Sequence, residues 1–290
     1  MAAEPDAATL LLVTGSTGRV GRALRAVWGK GDGPGRSIVW QGRNLGQQVD
    51  IAWNIGHQPA PGLPAGVIVI HLAGLTHGTV AQLAENRLVT GAVCRAARAH
   101  RARHVFVMSS TAVYRPSAYL IREGESPDPP TDYGRSKHAA ELVAEAVLRG
   151  PDAPGLTILR LANLAGADAL LGSCQPGQTV TLDPIAGQAG GPERSYIGPR
   201  ALADVLAQLM NMAAQGLALP RILNVAQPPA MAMADLLQAR GQPWRFGPPR
   251  PAAVARVAVA TDRLAALLPL PAATAASLIA DLDSLQGGWP

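Results

Sequence analysis

Thr14-Gly15-Ser16-Thr17-Gly18-Arg19-Val20-Gly21 runs out of the apolar stretch Thr9-Leu10-Leu11-Leu12-Val13 and into a helical pattern that continues to Val27. A continuous apolar run of this kind suits a parallel strand buried on both faces. Glycines at 15, 18 and 21, between a strand and a helix, permit a tight turn, close approach of backbone to a pyrophosphate, and close packing of helix on strand. The amide groups that open the helix add a positive end to which phosphate is drawn. Three glycines alone say little; strand before, helix after and a place at the head of the chain make them a dinucleotide-binding signature. Gly15, Thr17, Gly18, Arg19, Val20 and Gly21 are therefore candidate cofactor contacts.

Outward from this turn, strands alternate with helices. After a glycine-rich turn at Gly29 to Gly35, Ser37 to Gln41 reads as the second strand. A cofactor with a free ribose 2′-hydroxyl usually meets a carboxylate at this strand's end. The chain offers Gln41-Gly42-Arg43-Asn44 instead, and an arginine suits a 2′-phosphate, so Arg43 favours NADP over NAD. Gln48-Val49-Asp50-Ile51 reads as a short extended piece whose Asp50 carboxylate can accept from an adenine amino group, with Ile51 beside it as a further candidate contact. Val67 to Leu72 is a buried strand that ends in Ala73-Gly74, small residues that let a cofactor lie against backbone. Val80 to Ala99 is a helix carrying Asn86. Val105 to Met108 is a strand ending in the hydroxyl cluster Ser109-Ser110-Thr111, at the edge where ligands bind open parallel sheets. A helix capped by Thr131 or Asp132 runs to about Leu148, and Leu156 to Leu161 is the next strand.

This alternation implies an α/β protein with a doubly wound parallel sheet over residues 1–166, to which 195–226 returns. Residues 167–194 and 227–290, where the rhythm breaks, form a small lobe.

One stretch on the last helix of the alternation carries chemistry. In Tyr133-Gly134-Arg135-Ser136-Lys137, the tyrosine and lysine are four apart and share one helix face. An ammonium there favours the phenolate and lowers the tyrosine pKa toward working pH. The chain holds 25 basic residues, of which only Lys30 and Lys137 are lysines. Where arginine fills nearly every cationic position, a lysine here invites a chemical reason, because lysine is a compact point charge and arginine a bulky fork.

The composition bounds the rest. With 48% hydrophobic and 16% charged residues the chain folds. Its net charge of +5 is spread along the sequence with no basic run, which argues against nucleic acid as a partner. Cys94 and Cys174 have neither metal-ligand nor disulfide spacing, and the six histidines form no ligand set, so no metal is expected; His71 and His77 read as local structure. The longest apolar runs are about nine residues, short of the roughly 20 a bilayer needs, and Met1 to Ala8 lacks a signal pattern, so no membrane and a cytoplasmic location are expected.

Seven markers together resemble the extended short-chain dehydrogenase/reductase family, the NAD-dependent epimerase/dehydratases, over nearly the whole chain. They are Thr14-Gly15-x-x-Gly18-x-x-Gly21, His71-Leu72-Ala73-Gly74, Asn86, Ser109-Ser110-x-x-Val113-Tyr114, Tyr133-x-x-x-Lys137 followed by Glu141, Leu159-Arg160-Leu161-Ala162-Asn163, and Asn224-Val225. The resemblance implies a Rossmann fold whose C-terminal lobe selects substrate, with Leu72, Ala73, Gly74 and Asn86 on the cofactor. It implies Tyr133 as acid/base, Lys137 on the nicotinamide ribose and Ser110 on the reacting oxygen, with Thr111 as the alternative. Asn163 and Arg194 fall where such enzymes touch a sugar nucleotide, the arginine on its diphosphate. A homodimer through the helices beginning near Ala81 and Tyr133 is also implied.

Departures narrow the reading. Thr111 and Ala112 stand where dehydratases carry an Asp-Glu pair, which disfavours 4,6-dehydration; Ala112 also replaces the cysteine of the fucose-synthase type. Arg115 replaces a glycine, and Gly198-Pro199-Arg200-Ala201 replaces a His-Val-x-Asp segment. The expected function is an NAD(P)-dependent reductase or epimerase acting on a hydroxyl or keto carbon of a sugar or sugar nucleotide, with a slight lean to reductase. The alternative is a cofactor-binding sensor or assembly protein without turnover.

Overall fold

The computed structural model describes residues 10–29, 35–45, 49–175 and 177–285. Most of the predicted glycine-rich turn at Gly29 to Gly35 lies outside the described residues. In chain order the first elements are β1 (Leu11–Thr14), α1 (Arg19–Val27), β2 (Ile38–Gly42), β3 (Ile51–Ala52), β4 (Ile68–His71), α2 (Val80–Ala99), β5 (His104–Ser110), α3 (Asp132–Val147) and β6 (Gly155–Leu161). There follow β7 (Asn163–Leu164), β8 (Val180–Leu182), β9 (Glu193–Ile197), α4 (Pro199–Ala214), β10 (Ile222–Val225), β11 (Gln227–Ala232) and α5 (Met233–Ala239). The chain closes with β12 (Trp244–Phe246), β13 (Arg256–Val257), α6 (Asp262–Ala265) and α7 (Ala275–Asp283).

Seven strands form one sheet in the order β10-β6-β5-β4-β1-β2-β3, every pair parallel. This is the doubly wound Rossmann arrangement. Apolar residues alternate between its two faces, because successive side chains on a strand point opposite ways. Leu11, Val13, Ile68, Ile70, Phe106 and Leu159 pack with residues of α1 and α4 on one face. Leu12, Val67, Val69, Val105, Val107 and Ile158 pack with residues of α2 and α3 on the other. Burial on both sides is why the strands read as unbroken apolar runs.

The helices begin where local chemistry starts them. Thr79 and Gln82 form a reciprocal capping box at α2. Thr131, of the two predicted caps, accepts the Gly134 amide at 3.0 Å to open α3. At α4, Pro199 stands in the first turn and Gly198 supplies no side-chain cap. The Asp281 carboxylate of α7 caps α4 from across the fold, accepting the amides of Arg200 at 3.0 Å and Ala201 at 3.4 Å.

Beyond β6, where the alternation of strand and helix breaks, two small sheets appear. In one, β9 pairs with β7, β11 and β13; in the other, β8 pairs with β12. They pack over a separate apolar cluster that includes Leu171, Tyr196, Leu236, Leu237 and Ile279.

Candidate active site

The glycine turn is shaped by close backbone approach. Gly15 has φ +71°, and a Cβ there would stand 2.5 Å from both the amide nitrogen and the Cα of Ala73. Only glycine lets the end of β1 lie against the end of β4 in this way. The Gly15 amide donates to Gln41 Oε1 at 2.9 Å, and the Gly18 amide to the Gly15 carbonyl at 3.0 Å. A Cβ on Gly21 would collide with Ser16. Thr17 and Gly18 face the adjoining pocket, while Val20 packs into the core. The Arg19 guanidinium reaches past the turn and donates to the Ala167 carbonyl at 2.9 Å.

A pocket of about 710 Å³ opens at the carboxyl ends of β1, β2 and β4. This is where the strand order reverses, the place ligands take in open α/β sheets. Its walls are the glycine turn, Leu72 to Leu75 after β4, Gln41 to Asn44 after β2, and Glu85, Asn86 and Val89 of α2. Trp53, Asn54, Ile55 and His57 also line it. The pocket volume, the glycine cradle and the side-chain-free opening of α1 at Gly18 suit a dinucleotide.

Sequence reasoning missed Trp53, Asn54 and Ile55. The sequence reading instead puts an adenine acceptor at Asp50, with Ile51 beside it. In the structure Asp50 sits before β3 and accepts the Trp40 amide at 2.8 Å, and neither it nor Ile51 lines the pocket. The signal that could have found the later residues is that ligands meet the carboxyl end of a strand, and β3 ends at Ala52.

The sheet edge also brings together the predicted proton-transfer residues. Ser110 ends β5 and accepts the Ala112 amide at 3.1 Å, and its side chain hydrogen-bonds Tyr133 in the first turn of α3. Gly134 allows this, since a Cβ there would run into the carbonyl of Ala112. Lys137 follows one turn later; a Cβ on Gly74 would stand 3.9 Å from its Nζ, so the ammonium lies beside the loop that walls the pocket. Asn86 ties these parts together. Its Oδ1 accepts the Leu75 amide at 2.7 Å, and its Nδ2 donates to the Leu75 carbonyl at 2.9 Å and to Ser136 Oγ at 3.0 Å.

Burial governs the proton affinities. It pushes Lys137 down to about 8, against the opposing pull of the Glu141 carboxylate. The Tyr133 spacing predicts a phenol lowered by Lys137; here burial raises it above its ordinary value, and the hydrogen bond from Ser110 is what works the other way. His71 is held between Thr14 Oγ1 at 2.8 Å and Thr90 Oγ1 at 3.0 Å. Burial, followed by the Lys137 charge, pushes its pKa down to about 3, so it is neutral.

Behind Lys137 runs a buried polar chain. Ser109 donates to Glu141 Oε1 at 2.5 Å, and Arg160 donates to the same carboxylate through Nε at 3.1 Å and Nη2 at 2.7 Å. Arg160 Nη1 also donates to the Tyr114 hydroxyl at 2.9 Å, which donates to Asn224 Oδ1 at 2.8 Å. The chain thus links α3, β5, β6 and β10.

The predicted substrate contacts are placed less simply. Thr111 lies in a single 3-10 turn (Thr111–Val113) next to Ser110. Asn163 donates to the Ser195 carbonyl at 3.4 Å. Arg194 donates to the carbonyls of Glu193 at 2.7 Å and Val254 at 2.9 Å, so much of its fork is spent on backbone. Among the described residues, no three His, Cys, Asp or Glu side chains are placed to hold a metal ion, and no helix is long and apolar enough to cross a membrane.

Residues 64–182 match the family model described as "NAD dependent epimerase/dehydratase family". The matched segment runs from just before β4 to the end of β8 and includes Ser110, Tyr133 and Lys137. A search of curated proteins gives no match. Solved structures agree in fold. MoeE5 in complex with UDP-glucuronic acid and NAD is 20% identical, with a TM-score of 0.74 over 94% of this chain and 98% of that one. DesIV, a dTDP-glucose 4,6-dehydratase from Streptomyces venezuelae with NAD and TYD bound, is 18% identical, with a TM-score of 0.75 over 95% and 96%. A variant of UDP-glucuronic acid 4-epimerase from Bacillus cereus, in complex with a fluorinated UDP-glucuronic acid and NAD, is 15% identical, with a TM-score of 0.73 over 96% and 99%.

Proposed function

We propose that this chain is an NAD(P)-dependent oxidoreductase or epimerase acting on a hydroxyl or keto carbon of a sugar or sugar nucleotide. The observation that carries the proposal is that Ser110 bonds Tyr133 while Lys137, one turn on, lies beside Gly74 in the wall of a dinucleotide-sized pocket. The nicotinamide cofactor supplies hydride chemistry when bound. The residues of this chain do the rest. The glycine turn and the opening of α1 receive the pyrophosphate, and Asn54 and Ile55 stand at the adenine end. Ser110 orients the reacting oxygen. Tyr133 gives that oxygen a proton or takes one from it, and Lys137 holds a positive charge beside it. Its pKa near 8 leaves that charge largely present at neutral pH.

The structural relatives, MoeE5 with its UDP-glucuronic acid and DesIV as a dTDP-glucose 4,6-dehydratase, support a sugar nucleotide as substrate. Thr111 and Ala112 have no carboxylate to abstract a proton, which weighs toward reduction or epimerisation and against dehydration. Arg43 at the pocket wall, and a neutral Gln41 where a carboxylate would otherwise stand, favour NADP. A homodimer through α2 and α3 belongs to the same reading.

The test is turnover of UDP-glucose and UDP-glucuronic acid with either cofactor, by wild type and Tyr133→Phe. The variant is expected to lose about 10²–10⁴-fold in kcat while keeping its cofactor affinity. Turnover that survives Tyr133→Phe overturns the assignment of the acid/base.

A further inference from the structure

Glu141 lies one helical turn beyond Lys137 and two beyond Tyr133, so all three stand on one face of α3. It is 3% exposed, and a carboxylate that deep requires partners. Its partners come from two neighbouring strands, Ser109 of β5 and Arg160 of β6, and Ser109 is the residue directly before Ser110. Arg160 is 2% exposed and has its guanidinium 4.8 Å from the centre of the Tyr114 ring.

We propose that Glu141 is a positioning residue for the Tyr133–Lys137 pair: its carboxylate ties α3 to the strand end that carries Ser110 and stands as counter-charge behind the Lys137 ammonium. This rests on the reading of Tyr133 and Lys137 as the proton-transfer pair.

The surroundings of Lys137 leave this role to Glu141. On its own helix the titratable neighbours along its face are Tyr133 and Glu141. From β4 comes His71, which is neutral. From β5 come the hydroxyls of Ser109 and Ser110, and from β6 comes Arg160, whose charge meets the Glu141 carboxylate. From α2, Arg98 donates to the Val147 carbonyl at the far end of α3, and Arg95 lies against Gly91 on the flank facing Val143. The carboxylate of Glu141 is the anion among these groups that opposes the burial of Lys137.

The scarcity of lysine makes the test direct. Protein grown on lysine labelled with ¹³C at Cε carries two labelled side chains, and Lys30→Arg leaves only Lys137. Its NMR titration reads the proton affinity without cofactor, substrate or turnover. A failure here is thereby separate from a failure of the Tyr133→Phe assay. The wild-type midpoint is expected near 8. Glu141→Gln keeps the shape and removes the charge, and is expected to lower the midpoint by about one pH unit. Ser109→Ala removes a hydrogen bond and no charge, and is expected to leave the midpoint in place. The double variant Glu141→Gln, Arg160→Met leaves no unpaired buried charge and is expected to show the same fall, which keeps the test open if the single variant does not fold. An unmoved midpoint in either folded variant overturns the proposal, and so does an equal fall in Ser109→Ala.

Discussion

Gln41 accepts the backbone amide of Gly15 on its side-chain oxygen at 2.9 Å, while its amide nitrogen donates to the carbonyls of Gly42 and Trp53, each at 2.7 Å. A neutral side chain therefore closes the end of β2, with every polar atom engaged. Under the proposed function, discrimination at the ribose falls to Arg43, which lines the same pocket. Arg43→Ala is expected to weaken NADP⁺ binding about tenfold and to leave NAD⁺ affinity unchanged, since charge-assisted bonds to phosphate are the strong ones. Calorimetric titration with both cofactors checks this, and equal losses would remove Arg43 from the 2′-phosphate.

Gly15 combines a left-handed backbone with contact to Ala73. Gly15→Ala adds strain of about 1–3 kcal/mol and also pushes the ends of β1 and β4 apart. Both urea stability and NAD⁺ affinity are expected to fall. A variant that binds NAD⁺ normally would mean the turn does not form the cradle.

Asp281 is expected to act on α4 although it belongs to α7. Asp281→Ala should cost about 1 kcal/mol in urea unfolding, the usual worth of a lost cap, and Asp281→Asn less, because an amide oxygen can still accept.

His71 and His104 are buried and neutral, with pKa values pushed down to about 3 and about 4. Unfolded, each binds its proton at the ordinary 6.5. Between those limits the unfolded chain holds more protons, so stability is fully present above about pH 6.5 and is lost as pH falls. Each is expected to forfeit about 2 kcal/mol between pH 6.5 and 5. His104→Gln, which can still meet Thr157, should flatten the slope measured by urea unfolding across that range.

The proposed dimer has an address on the surface. Val80 and Leu88 of α2 and Leu142 of α3 are 66%, 39% and 54% exposed. Leu142→Arg is expected to convert a dimer to a monomer in light scattering with little loss of stability. A wild type already monomeric would refute the interface.

The sheet is legible in the sequence because its central strands are buried on both faces, and α2 and α3 because each has a local start signal. The meeting of Ser110, Tyr133 and Lys137 follows from strand order and helix spacing. What was not legible depends on distant partners. The strands β7, β8, β12 and β13 are two or three residues long, too short for a periodic signal, and form only because a neighbour pairs with them. Arg194 looks like an anion contact from its place in the chain, and only the fold brings the Val254 carbonyl to it. Asp50 looks like a ligand in the sequence, and its engagement with the Trp40 amide, away from the pocket lining, is a tertiary fact.

The edge strand β10 comes from residues 222–225, well after the chain has left the sheet at β6. A nascent chain emerging from the ribosome therefore holds β6 with its outer hydrogen-bonding groups open while all of β7, β8, β9 and α4 are being made. An open parallel edge of this kind invites pairing with another chain. The dinucleotide half is thus not a unit that finishes folding first. Its completion waits on the synthesis of the segment around β7 to β9, and a fragment cut at Gly166 would be prone to aggregate.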